Sequence, residues 1–419
     1  MEQRKTRPDG SAASQEHEQD GLPPYAPMTL SIDDIRRAIP PHLFKRSASR
    51  ATSYIFRDVA CAIVAWALAS RIDGFCRYLQ SPSSPVPLDS TIVSLLRWSL
   101  WSAYWWFQGL IFTGFWVIGH EAGHGGLSDS TWFCSIVGFI CHSGLLTPYF
   151  GWKVSHHHHH MNHGSMERDE TWIPLTRSEM NLPPEDEKFD YEEYFGDAPI
   201  WTLGMLVLRQ VIAFPVYLLF NVSGNKDYPK WTNHFDPNSV LFKKSQRNKV
   251  ILSDLGVVLM ICVLQRASMQ YGFWPVMKFY GVPWLWVSHW LVMITYLHHT
   301  DPELPHYRNA AWTFSRGASA TMDRDFLGWQ GQFFLHGISH HHVTHHYFPK
   351  MPFWHCDEAT PYVRKVVGEE HYWYSDKPTF MALWDNYNQC QFVEDNGSVI
   401  FYRDKKGQAV RKAAAEFET

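Results

Sequence analysis

The residues best suited to chemistry in this chain are histidines set at metal-ligating intervals. The first group is His120-Glu-Ala-Gly-His124. Spacing of i, i+4 puts His120 and His124 on one face of a helix, able to share one metal. Taken alone, this H-E-x-x-H pattern is that of a zinc protease, with Glu121 as general base. An intramembrane protease of that type needs a third ligand in a later Leu-Asp-Gly segment. The nearest match, Ile72-Asp73-Gly74, is a different tripeptide and precedes the motif. The second group is His156-His-His-His-His160. An affinity tag is normally terminal, and this run is internal. Read as H-x-x-H-H, it places His156, His159 and His160 on one helical face, with His157 and His158 pointing elsewhere and His163 unassigned. The third group, His340-His-His342-Val-Thr-His345-His346, repeats H-x-x-H-H as His342, His345 and His346, with His298, His299 and His336 nearby. Eight spaced imidazoles exceed the need of one tetrahedral zinc, so two metals are the economical expectation. Nitrogen ligands alone do not choose iron over copper or zinc. Asp169, Glu170, Asp323, Asp325 and Asp357 are available to orient ligand histidines through their outer nitrogens.

These clusters need rigid elements to carry them. The chain has 419 residues, with 37 Lys plus Arg against 41 Asp plus Glu. A formal charge of −4 argues against nucleic-acid backbone binding, and seven Cys in such a length do not make a disulfide scaffold. Twenty Trp suit a membrane–water boundary, whereas a mean hydropathy of −0.27 by itself reads as soluble. Met1 to about Ala26 is polar, without a secretory signal pattern, and reads as a disordered cytosolic tail. Ser31 is a helix cap, followed by Ile35, Ile39 and Leu43 at near-helical spacing.

Four apolar stretches reach or approach the roughly 20 residues needed to cross a bilayer: 55–75, 91–119, 249–270 and 275–297. Two weaker ones, 132–150 and 201–220, fit the interface or a re-entrant path. Four crossings with a cytosolic tail put 120–248 and 298–419 on the cytosolic side. The basic run Lys243-Lys244-Ser-Gln-Arg247-Asn-Lys249 agrees with the positive-inside rule. Roughly 250 cytosolic residues then account for the hydrophilic average. A helix over 91–119 is roughly 42 Å long against a ~30 Å hydrocarbon core, so His120 and His124 project beyond the membrane. The expected fold is an all-α integral membrane protein with four transmembrane helices and a cytosolic helical cap holding a His-rich dimetal site.

HEAGH (120–124), H-x-x-H-H (156–160) and HHVTHH (341–346) together resemble the three boxes of the membrane fatty acid desaturases, in particular the microsomal oleate Δ12 group. His160-Met-Asn-His-Gly-Ser-Met-Glu-Arg-Asp-Glu170, Ile294-Thr-Tyr-Leu-His-His-Thr300, Leu304-Pro-His-Tyr307 and Met322-Asp-Arg-Asp325 are similar to that group as well. The likeness runs over about residues 25–405. Box one departs from H-E-C-G-H-H: Ala122 stands for Cys, and Gly125 removes a histidine at that position.

The resemblance implies a non-haem di-iron site held by His120, His124, His156, His159, His160, His342, His345 and His346, with His299 as an additional ligand. Glu121, Asp169, Glu170, Asp323, Asp325 and His336 are then expected around the ligands. The implied reaction uses O2 and two electrons from cytochrome b5 and its NADH-dependent reductase to place a cis double bond in an acyl chain. Oleoyl to linoleoyl is the leading case, on phospholipid or CoA; ω-3 desaturation, hydroxylation, epoxygenation and acetylenation share the same boxes. No His-Pro-Gly-Gly haem motif occurs, so the b5 partner is expected as a separate protein. The implied location is the endoplasmic reticulum membrane with cytosolic termini. The domain expectation is an N-terminal tail and amphipathic helix over 1–52, a desaturase domain over 53–405 and a C-terminal tail over 406–419. An acyl tunnel is expected to run from the cytosolic part among the spans. A metal-transport role would need ligands within the spans, where His289 is the only histidine.

Overall fold

The computed structural model describes residues 21–417 apart from 186, 188 and 197. Most of the tail expected to be disordered lies outside the described residues, as do the last two residues of the chain. The molecule is mainly helical. Its frame is α1 (Ala48–Gln80), α2 (Ser90–His124), α3 (Thr131–Ser143), α4 (Tyr149–Asn162), α5 (Pro199–Phe220), α6 (Arg247–Tyr271) and α7 (Val282–His299). Three short two-stranded ladders stitch the polar part together: Pro24–Tyr25 with Lys412–Ala413, His306–Tyr307 with Val399–Ile400, and Met322–Arg324 with Trp373–Ser375.

Among the described residues, three helices are long and apolar enough to cross a membrane: Ala48–Gln80, Pro199–Phe220 and Lys244–Tyr271. Two of them contain expected spans, and the third is the segment ranked lower from its sequence. Both ends of α5 are nevertheless tied to the polar, histidine-bearing part. Near its start Lys405 Nζ reaches Thr202 Oγ1 at 3.4 Å, and near its end Tyr217 bonds Ser155 at 3.2 Å and Thr171 at 3.4 Å.

The other two expected spans, in α2 and in the run ending with α7, are enclosed along much of their length. They are rich in Trp and face protein on several sides. Glycines permit this closeness, as small residues do in membrane bundles. A Cβ on Gly109 would meet the Trp286 side chain at 2.3 Å, and one on Gly119 would meet the His142 ring at 2.2 Å. The 35 residues of α2 run from Asp89, which caps its first turn, to Gly125, whose φ of +75° ends it just after His124. At the end remote from the histidines, Asp73 of α1 accepts from Arg97 of α2 at 2.7 Å, from Trp101 at 3.1 Å and from Lys278 before α7 at 3.1 Å.

Ser31 caps the helix Ile32–Arg37, and Ile35, Ile39 and Leu43 are buried against Val343, Tyr347 and Val363, as their spacing suggested. Packing runs through the boundaries drawn at 52 and 405. Tyr25 is buried and bonds Tyr307 at 2.8 Å, Ala413 is buried, and Arg411 stacks on Trp373 at 4.9 Å.

Candidate metal centre

Three elements carry the clusters to one place. The end of α2 brings His120 and His124; α4 brings His156, His159 and His160; the short helix α8 (His342–Tyr347) brings His342, His345 and His346. His299 comes from the last turn of α7. The ladder strand Met322–Arg324 joins α7 to α8. Its Arg324 Nε donates to the Leu297 carbonyl at 2.7 Å and its Nη2 to Asp301 at 2.7 Å, closing the C-terminal end of α7 with a cation. On the other side, Asp323 Oδ1 accepts the Val343 amide at 2.8 Å and Oδ2 accepts the Tyr372 hydroxyl, fixing the start of α8. Burial pushes the Asp323 carboxyl up to about 7, against those hydrogen bonds.

The imidazoles form two groups. His120, His124, His156, His160 and His345 converge in one, and His159, His299 and His346 in the other. His342 joins the second, with Nε2 3.3 Å from His299 Nε2. Similar nitrogen pairs occur in the first group: His120 and His124 at 3.4 Å, and His156 and His160 at 3.1 Å. A metal–nitrogen bond of about 2.1 Å sets neighbouring ligand nitrogens about 3.0–3.4 Å apart, so these separations fit shared cations. His345 Nε2 and both nitrogens of His346 are buried without a hydrogen-bond partner among the described residues. Such orphaned imidazole nitrogens suit ligation. Burial, reinforced by neighbouring histidines, drives His124, His156, His160, His299, His342, His345 and His346 well below the usual imidazole range, which keeps them neutral as ligation requires.

Outer hydrogen bonds turn Nε2 inward. His159 Nδ1 donates to Asp169 at 2.9 Å, His342 Nδ1 to the Ile338 carbonyl at 3.3 Å, and His120 Nδ1 to Glu121 Oε1 at 3.0 Å. Glu121 Oε1 also lies 3.5 Å from His345 Nδ1. Glu121 thus faces the outer edges of two imidazoles, behind the place a metal would take, where a protease base has no water to activate. His163 is turned differently. Its Nδ1 meets Asp169 at 3.3 Å and its Nε2 meets the Ala320 carbonyl at 2.9 Å. Both nitrogens are engaged, so the third convergent group, His159–His163–Asp169, is an orienting network. Burial opposes ionisation of Asp169, yet His159 and His163 hold its carboxyl well below the usual range.

Several residues expected around the ligands lie elsewhere. Glu170 bonds His158 at 2.8 Å and Tyr228 at 2.5 Å. Asp325 pairs with His340 at 3.2 Å, and exposed Asp357 lies 3.7 Å from His341. His336 Nε2 faces Asp58 at 2.9 Å and its Nδ1 faces Arg57 at 3.1 Å, well apart from both imidazole groups. Proximity in sequence to a histidine box gave no guide to which histidine each group meets. The orienting role of His163 was equally hidden, since its partners Asp169 and Ala320 are set by the fold. His289 is held among Trp286, Trp290 and Phe380 rings, which leaves the transport reading without a second histidine in the expected spans.

Two cavities reach the centre. One, of about 510 Å³, lies between α5 and α7 and is lined by Leu206, Gln210, Phe214, Tyr296, His299 and Tyr402. The other, of about 760 Å³, opens beside His124 and His160; its walls carry Arg36, Lys153, Lys249 and Lys350, together with Asp33 and an Arg46–Asp129 pair at 2.6 Å.

Comparison with known proteins places this arrangement among lipid-modifying enzymes. The fatty acid desaturase family profile matches residues 99–378. The chain is 41% identical over 381 residues to the Δ12 fatty acid desaturase of Mortierella alpina, covering 89% of this chain and 90% of that protein. It is 38% identical over 381 residues to the Δ12 fatty acid desaturase of Arabidopsis thaliana, covering 90% and 92%. It is also 40% identical over 389 residues to the oleoyl-12-hydroxylase of Ricinus communis, covering 91% and 92%.

Proposed function

The chain belongs to the fatty acid desaturase family, and from that premise we propose that it is a Δ12 desaturase converting oleoyl to linoleoyl chains. The observation that carries the reading is the pair of imidazole groups, five and four strong, beside an apolar cavity that ends on His299.

We assign one iron to His120, His124, His156, His160 and His345, and a second to His159, His299, His342 and His346. When bound, the irons supply O2 activation and the removal of two hydrogens from adjacent methylenes, with two electrons and two protons completing the reduction of O2 to water. The protein supplies position and dryness. Asp169 and Glu121 hold imidazole tautomers. The α5–α7 cavity takes the acyl chain, and its Leu206, Phe214 and Tyr296 walls exclude water from the reacting carbons. An apolar wall discriminates weakly between neighbouring methylenes, about 1–3 kcal/mol, so the position attacked is set by where the chain is anchored.

The membrane reading has four crossings, by α1, α2, α6 and the run ending in α7, with α5 lying along the cap. It accords with α2 and α7 both carrying their histidines at their C-terminal ends, His120 and His124 on one and His298 and His299 on the other. The basic walls of the larger cavity, beside His124 and His160, suit an acidic electron carrier, for which cytochrome b5 is the proposed partner. The proposed location is the endoplasmic reticulum membrane, termini cytosolic.

The test is expression of the full chain in a yeast that makes no polyunsaturated fatty acids, followed by gas chromatography. Linoleate is expected; membrane-inserted protein without any new diene would refute the assignment. The hydroxylase among its relatives makes 12-hydroxylation the second reading, and a hydroxy product in the same chromatogram would establish it.

A further inference from the structure

A second lipid-shaped cavity lies between α1 and α2 and shares no lining residue with the α5–α7 cavity. It is a groove of about 590 Å³ walled by Val64, Leu68, Phe75, Leu100, Phe107 and Ile111. Along α1 it spans Cys61 to Phe75, about 21 Å at 1.5 Å per residue, the reach of an ordinary fatty-acyl chain. Its end nearest the cap closes on Phe333 and Phe334. Phe333 is also a wall of a cleft of about 770 Å³ that contains Tyr54, Arg57, Trp329, Trp354, Asp325 and Asp357. Phe333 thus borders both the apolar groove and the polar, aromatic cleft beside Arg57.

The chemistry of that mouth is specific. Arg57 lies 4.5 Å above the Phe333 ring and 5.2 Å from Tyr54, and Tyr54 stacks on Trp354 at 5.9 Å. Its Nε and Nη2 bond Asp58 Oδ1 at 2.9 and 2.7 Å, and Nη2 also meets His336 Nδ1 at 3.1 Å. Nη1 carries no hydrogen bond among the described residues. The Arg57 charge is thus balanced by Asp58, while a donor remains for a phosphate oxygen. Asp325 and Asp357, with side chains 50% and 89% exposed, have no Lys or Arg partner among the described residues. Exposed carboxylates whose only side-chain ion-pair neighbours among the described residues are histidines, set beside aromatic faces, attract a quaternary ammonium and repel an anionic headgroup. None of the nine convergent imidazoles lines the groove or the cleft.

We propose that the α1–α2 groove and the Arg57–Trp329 cleft form an accessory binding site for one choline phospholipid, distinct from the substrate cavity. The acyl chain lies along α1, the phosphate meets Arg57 Nη1, and the trimethylammonium sits among Trp329, Trp354, Asp325 and Asp357. His336 serves here, holding Arg57 and Asp58 in place.

The test uses the purified full chain in mild detergent, mixed with equal amounts of dioleoyl phosphatidylcholine, phosphatidylethanolamine and phosphatidylglycerol, and read by native mass spectrometry. Wild type is expected to retain phosphatidylcholine about fivefold over either other lipid, the scale of one cation–π contact. Trp329→Ala and the double variant Asp325→Asn/Asp357→Asn alter exposed side chains and are each expected to lose that preference. Equal retention of the three lipids by wild type, or unchanged preference in both variants, would overturn the site. Dehydrogenation of a preloaded deuterated phosphatidylcholine as fast as bulk lipid would show it to be substrate and overturn the accessory role.

Discussion

Asp169 accepts a hydrogen bond from His159 Nδ1 at 2.9 Å with both side chains buried, and this turns His159 Nε2 toward His299 and His346. The same carboxylate takes the Thr171 amide at 2.9 Å, so its own orientation is locked by backbone. Removing such a partner costs about 10–100-fold in metal affinity or activity. Asp169→Ala is expected to lose iron from the second group to that extent, and metal analysis by mass spectrometry beside the fatty-acid profile checks it.

Glu121 reaches both His120 and His345 from behind. Glu121→Gln keeps an acceptor for one imidazole and loses the charge that serves both. Iron retention and diene formation should fall together, by about tenfold. Unchanged iron with abolished product would instead point to a direct proton-transfer role.

The five-histidine run divides by direction. His156 and His160 converge at 3.1 Å, while His157 is exposed and His158 bonds Glu170. His156→Ala should abolish linoleate, and His157→Ala should leave it within about twofold, as for most exposed substitutions. Equal damage from the two would overturn the register, and gas chromatography of the host lipids decides.

Gly119 sits where α2 meets the His142 ring, one residue before His120. A methyl there would lie 2.2 Å from that ring. Gly119→Ala is expected to cost about 1–3 kcal/mol through overpacking. A fall in the unfolding midpoint of detergent-solubilised protein measures it.

His234 is buried, with Nδ1 facing the Leu218 carbonyl at 3.2 Å and Nε2 the Tyr217 hydroxyl at 3.1 Å. Burial lowers its pKa to about 4, so the unfolded chain binds the proton first as pH falls. Its contribution is fully present above the unfolded value near 6.5 and is lost as pH drops toward 4, on the order of 3 kcal/mol below that. Thermal unfolding between pH 7 and pH 4 should show this decline added to that of the other buried histidines, and His234→Gln should make it shallower by about that amount.

The eight candidate ligands of the three boxes were legible in the sequence, because i, i+3 and i+4 intervals are local, whereas His299 entered only through the family resemblance. The fold then gathers these nine histidines from four elements into two groups, which spacing within one helix cannot do. Apolar run length was legible in part: 55–75 and 249–270 lie in helices long and apolar enough to cross a membrane, and so does 201–220, which the sequence ranked lower. Tertiary structure decided what local pattern cannot encode. The strand Met322–Arg324 ties α7 to α8, so Asp323 acts on backbone amides and not on a ligand. The carboxylates near the boxes meet partners chosen by chain crossings: Glu170 goes to His158, Asp325 to His340, and Asp169 to His159 and His163. His336 left the metal centre for Arg57 and Asp58 because α1 passes beside it. The contacts of α5 with Lys405 and Ser155, residues distant in the chain, were likewise set by the fold. Burial and long-range contact set these outcomes, and neither is written in spacing.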